Sequence, residues 1–132
     1  MRFVYVAIAI LAIILIGVGV AYRQAQTEEY GSVVDMRGKP EVSVVLTPKG
    51  FQPREIRITQ GTSVTFTSTT GVAFWPASDP HPTHTDYPAF DPKEPVMASS
   101  SWSFVFDRVG SWGYHDHIHS YFTGTIYVDP QQ

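Results

Sequence analysis

Five histidines hold the chemistry of this 132-residue chain. They fall in two clusters, His81-Pro82-Thr83-His84 and His115-Asp116-His117-Ile118-His119, and none lies elsewhere. Neutral imidazole is a ligand for copper, zinc, iron and nickel, so histidines gathered this closely point to metal binding. In an extended segment, alternate residues share a side, so His115, His117 and His119 can face one way while Asp116 faces the other. Same-face neighbours stand ~7 Å apart at the backbone, which suits convergence on one ion or service of two neighbouring ions. His119 is the optional member, because the strand must turn near Ser120 and a turn redirects it into solvent. The candidate ligands are therefore His81, His84, His115, His117 and His119. Cu(II) heads the affinity order of common divalent ions at nitrogen sites, so copper leads and zinc follows.

The absence of cysteine narrows that chemistry. No disulfide can form, no thiolate is available to a metal, and no Cys-linked lipid can anchor the chain. Asp79 and Asp116 read as turn caps or as groups that orient a histidine, not as ligands. The residues single out no catalytic group, so a binding protein is expected in preference to an enzyme. All 12 acidic residues follow Tyr22, and the net charge of −3 comes without a basic cluster of the kind that tracks phosphates, which argues against nucleic acid.

The elements that must position these histidines have the period of β-strands. Short runs at residues 42–46, 55–59, 63–67, 101–106, 112–115 and 125–128 are separated by Gly and Pro, and none has a helical period. Ile56-Arg57-Ile58 and Val64-Thr65-Phe66 alternate apolar and polar residues, so each strand can bury one face, and two packed antiparallel sheets are expected. The aromatic residues Phe74, Trp75, Trp102, Phe104, Phe106, Trp112 and Tyr114 read as core. Residues 71–100 form a Pro- and Asp-rich insertion that holds two of the histidines and is too proline-rich for a central strand.

Ahead of this domain, residues 3–22 carry no charge and match the ~20 residues that cross a hydrocarbon core, so a transmembrane helix is expected. Gly19-Val20-Ala21 offers the alternative of a cleaved secretory signal. Either way the rest is exported. The expected plan is a membrane anchor over residues 1–23, a polar linker over 24–40 and one β-domain over 41–130. The domain then lies outside the cytoplasmic membrane, single-pass anchored, or secreted if the segment is cleaved.

Lys49-Gly50-Phe51-Gln52-Pro53 with Ile56, Ile58, Gly61, Val64 and Phe66, closed by residues 110–117 and Gly124-Thr125-Ile126-Tyr127-Val128, resembles a cupredoxin domain. The resemblance covers most of residues 42–128 and implies an all-β, Greek-key cupredoxin-like sandwich with copper as cofactor. Aligned on Tyr114 and Gly124, Asp116 stands where blue copper proteins carry Cys, His119 at their second His and Phe122 at their Met. A blue, thiolate-bound centre is thus excluded. The segments His81-Pro82-Thr83-His84 and His115-Asp116-His117 instead resemble the H-P-x-H and H-x-H segments of multicopper oxidases, which bind copper through imidazole. Such oxidases combine several domains, and one domain is present here. The expectation is a membrane-anchored, extracytoplasmic copper-binding protein with a histidine-rich type 2-like site, serving copper handling. The alternatives are an electron-transfer protein or small copper oxidoreductase, and a structural zinc site in an interaction domain. No feature names a protein partner.

Overall fold

The computed structural model describes residues 13–21 and 32–131. The chain divides into two compact units, Met1–Ser32 and Val33–Gln132. In the first, residues 13–21 are helical, and among the described residues no helix is long and apolar enough to cross a membrane. The rest of the expected membrane segment, and residues 24–31 of the expected linker, lie outside the described residues.

Among the described residues the second unit is a β-sandwich of nine strands: β1 (Val34–Asp35), β2 (Glu41–Thr47), β3 (Gly50–Gln52), β4 (Glu55–Thr59), β5 (Ser63–Ser68), β6 (Pro76–Ser78), β7 (Trp102–Val105), β8 (Gly110–Asp116) and β9 (Thr123–Asp129). One sheet has the order β1-β4-β9-β8-β6 and the other β3-β2-β5-β7. Successive strands change sheet at every connection except β2 to β3 and β8 to β9. Crossing between sheets brings strands back into the same sheet running the same way, which corrects the expectation of antiparallel sheets. The pairs β1–β4, β2–β5 and β4–β9 are parallel.

Period-2 alternation places the core as the residue types require. Val42, Val44 and Leu46 on β2, Ile56 and Ile58 on β4, Val64 and Phe66 on β5 and Ile126 and Val128 on β9 are buried, with less buried neighbours between them. Each such side chain contributes about 1.5–3 kcal/mol relative to exposure. Of the seven aromatics read as core, Phe74, Phe106 and Tyr114 are buried, while Trp102, Phe104 and Trp112 pack against the core from its margin. Three strands arise where none was expected, and β3 is the one that pairs back on its neighbour β2. Val34 and Asp35, read as spacer, pair with Ile56 and Arg57, and Met36 packs against the core. Pro76–Ser78 forms β6 inside the proline-rich insertion, at the sheet edge where a missing N–H is tolerated.

The long loop from β6 to β7 is tied to the sandwich by two of its own rings. Tyr87 and Phe90 are buried, and the Phe90 ring lies 4.9 Å from Phe106, 5.5 Å from Phe66 and 5.7 Å from Tyr114. The Tyr87 hydroxyl donates to Asp107, and its N–H donates to Ser78 Oγ at 2.9 Å. The loop therefore lies as a fixed layer against β6 and β8.

Candidate metal centre

Strand β8 carries two functional faces. Tyr114 joins the sandwich core, whereas Gly113 and His115 face the loop, so Tyr114, His115 and Asp116 are all buried although they alternate in direction. A Cβ at Gly113 would collide with the Asp79 carboxylate, so this glycine lets the loop approach β8. Beyond β8 the pairing with the β6 segment continues, the His117 N–H donating to the Trp75 carbonyl at 2.7 Å. His117 thus remains on the His115 side.

The loop contributes its two histidines from a single tight turn. Thr83 N–H and His84 N–H both donate to the Pro80 carbonyl, at 3.0 and 2.9 Å, which brings His81 and His84 to one side. His84 has φ 53°, a left-handed conformation that costs a non-glycine residue of order 1–3 kcal/mol and persists only where its surroundings hold it. Here they do, because the His84 ring is buried and its Nδ1–H donates to Asp91 Oδ2 at 2.7 Å.

Four of the five candidate ligands converge. His81, His84, His115 and His117 each offer one nitrogen, and these atoms lie within 4.8 Å of one another. His81 Nδ1 stands 3.2 Å from His115 Nε2, and His84 Nε2 stands 2.9 Å from His117 Nδ1. Around an ion with nitrogens at ~2.0 Å, ligands lie ~3.3 Å apart in a tetrahedron and at most ~4.0 Å apart across a plane, so small side-chain movements close the set. His119 lies outside this group; its Nδ1–H donates to Asp116 Oδ2 at 2.8 Å, after the turn that begins beyond β8.

Carboxylates fix the tautomers of the two most buried rings. His115 Nδ1–H donates to Asp79 Oδ1 at 2.7 Å, and His84 donates to Asp91, so each turns the Nε2 lone pair inward. Without a metal, the Nδ1–H groups of His81 and His117 donate to those lone pairs, and all four inward nitrogens are satisfied. A proton moved from Nδ1 to Nε2 on His81 and His117 frees two further inward lone pairs. The residues therefore fit a nitrogen-only metal site for copper or zinc.

Electrostatics favour a neutral ring at His117. Burial, then repulsion from His84, His81 and His115, lowers the His117 pKa below its ordinary 6.5. Burial alone would raise Asp91, but hydrogen bonds from Lys93, His84 and Trp75 hold it well below the usual carboxylate range. Trp75 Nε1–H donates to Asp91 Oδ1 at 2.8 Å, and the Trp75 ring lies 4.5 Å from that of His117. Asp116 is fully buried and accepts the Trp75 backbone N–H at 2.7 Å, so it caps the edge of the site without joining it. Sequence reasoning missed Asp91, whose only signal was its place in the loop that also holds His84.

No sequence-family profile and no curated protein matches the chain. Solved structures do. A purple cupredoxin from Nitrosopumilus maritimus aligns with a TM-score of 0.54 and 17% identity over 67% of this chain and 99% of that one. A fern plastocyanin from Dryopteris crassirhizoma gives 0.54 and 18% over 67% of this chain and 100% of its own. A copper-containing nitrite reductase from Thermus scotoductus gives 0.56 and 20% over 70% of this chain, which spans 23% of that longer one. At these identities the likeness is one of fold. The second unit is thus a cupredoxin-like domain, cysteine-free, with four histidines gathered between strand β8 and the loop that covers it.

Proposed function

We propose that this protein binds copper outside the cytoplasmic membrane, holding Cu(II) in a type 2 site made by His81, His84, His115 and His117, for copper handling. The convergence of four imidazole nitrogens, two of them turned inward by carboxylates, is the observation that carries the reading. The fold supports it, since the structures it resembles include a copper-containing nitrite reductase and Cu(I) amicyanin. Residues 3–22 supply the anchor and the residues after them a short spacer, leaving the domain on the outer face. When bound, the ion supplies a Lewis-acid and one-electron centre, while the chain orients the ligands and excludes thiolate chemistry. His84 and His115 are buried and His81 is exposed, so the open side of the site is the His81 side.

Electron paramagnetic resonance of the full chain with one equivalent of Cu(II) tests this. A nitrogen-rich type 2 signal that is lost in His84→Ala and in His115→Ala is expected; the spectrum of free copper in the unaltered protein refutes it. A second reading, a zinc ion that only pins loop to strand, draws on the placement of the ligands on those two elements. Equal affinity for Zn(II) and Cu(II), with equal rises in melting temperature, favours that role, because a ligand bound only to the native state stabilises by mass action.

A further inference from the structure

We propose that Asp79 and Asp91 are positioning residues that make the four-histidine site select a divalent over a monovalent ion, Cu(II) over Cu(I). The inference rests on the copper-binding reading above. Neutral imidazoles bring no charge, so a divalent ion among four of them leaves two positive charges beside rings that are only 5% (His84) and 1% (His115) exposed. Asp79 and Asp91 accept the outward N–H of those same two rings, each at 2.7 Å, and return two negative charges. Those two carboxylates, before Lys93 is counted, balance a divalent ion and exceed a monovalent one by one charge. An anionic acceptor also makes the imidazole a stronger donor, which favours the more highly charged ion.

Asp91 offers a control of opposite sign. Its carboxylate is 6% exposed and lies 2.9 Å from Lys93 Nζ, while the lysine side chain is 66% exposed. Lys93 opposes the field of Asp91 at the site and can be neutralised without opening the core. Its backbone N–H, which donates to Asp91 Oδ1 at 2.7 Å, is retained in Lys93→Met.

The test measures affinity for Cu(II) and for Cu(I) in the full chain by competition with chelators of each ion. Asp79→Asn and Asp91→Asn keep an oxygen acceptor for the imidazole and remove the charge. Each is expected to weaken Cu(II) binding about 10–100-fold and Cu(I) binding far less. A tenfold change in that ratio raises the potential by about 59 mV for one electron. Lys93→Met is expected to move the ratio the opposite way, by severalfold. A purely structural role weakens both ions equally in the Asn variants and leaves Lys93→Met unchanged, and that pattern overturns the proposal. If the unaltered chain binds neither ion, the copper reading itself fails and the selection falls with it.

Discussion

Replacing Phe90 by Ala separates the role of the loop from that of the sandwich. The ring is fully buried and meets Phe66, Trp102, Phe104, Phe106 and Tyr114 at centroid distances of 4.9–5.7 Å. Truncating a buried Phe costs about 3–5 kcal/mol through lost transfer energy and the cavity left behind. That is a large part of the roughly 5–15 kcal/mol that holds a domain folded. The loop keeps its backbone bonds, among them Ser78 N–H to the Phe90 carbonyl at 2.9 Å, so it loosens without being released. Asp91 follows directly in sequence, and with it His84, so metal affinity should fall as well. Ile58→Ala on β4 is the control: an equally buried side chain on a strand far in sequence from the ligands, costing about 2–5 kcal/mol. Urea unfolding gives the stabilities and Cu(II) competition titration gives the affinities. Comparable destabilisation with affinity lost only in Phe90→Ala is expected; affinity lost equally in both variants would refute the argument that Phe90 seats the ligand loop.

Three further outcomes follow from the geometry. Because the His117 pKa is lowered in the folded state, the unfolded chain binds more protons between that lowered value and 6.5. Metal-free stability is therefore full above pH 6.5, falls as pH drops through that window and flattens in His117→Gln, as thermal melts at stepped pH would register. His119→Ala should leave Cu(II) affinity unchanged, since this ring bonds to Asp116 and not to the cluster; a tenfold loss by titration counts against the four-ligand set. Gly113→Ala should push Asp79 off His115, costing about 1–3 kcal/mol by overpacking and about tenfold or more in metal affinity. Unchanged affinity in that variant means His115 does not need its carboxylate partner.

Much of the sandwich was legible from local patterning. Strands β2, β4, β5 and β9 follow runs whose apolar residues alternate, because a strand buried on one face imposes a period of two on its side chains. Strands β1, β3 and β6 were not legible. Val34–Asp35 is too short to show a period, and Pro76–Ser78 is held by the pairing of Ala77 with His115, a contact 38 residues away in sequence. The parallel pairs escaped for the same reason, since strand direction within a sheet depends on where the chain crosses between sheets.

At the site, the sequence by itself determined the donor chemistry: five imidazoles, no thiolate, and two clusters in which alternation puts His115 and His117 on one side. Residue type and period are local properties, and local properties survive in one dimension. Only the tertiary structure decided that His81 meets His115 and His84 meets His117, that His119 turns away to Asp116, and that Asp79 and Asp91 back the two buried rings. Those contacts depend on Tyr87 and Phe90 anchoring the loop in the core and on Gly113 letting it close on β8. Such pairings form between segments whose proximity is set by the packing of the whole domain, and no local pattern encodes them.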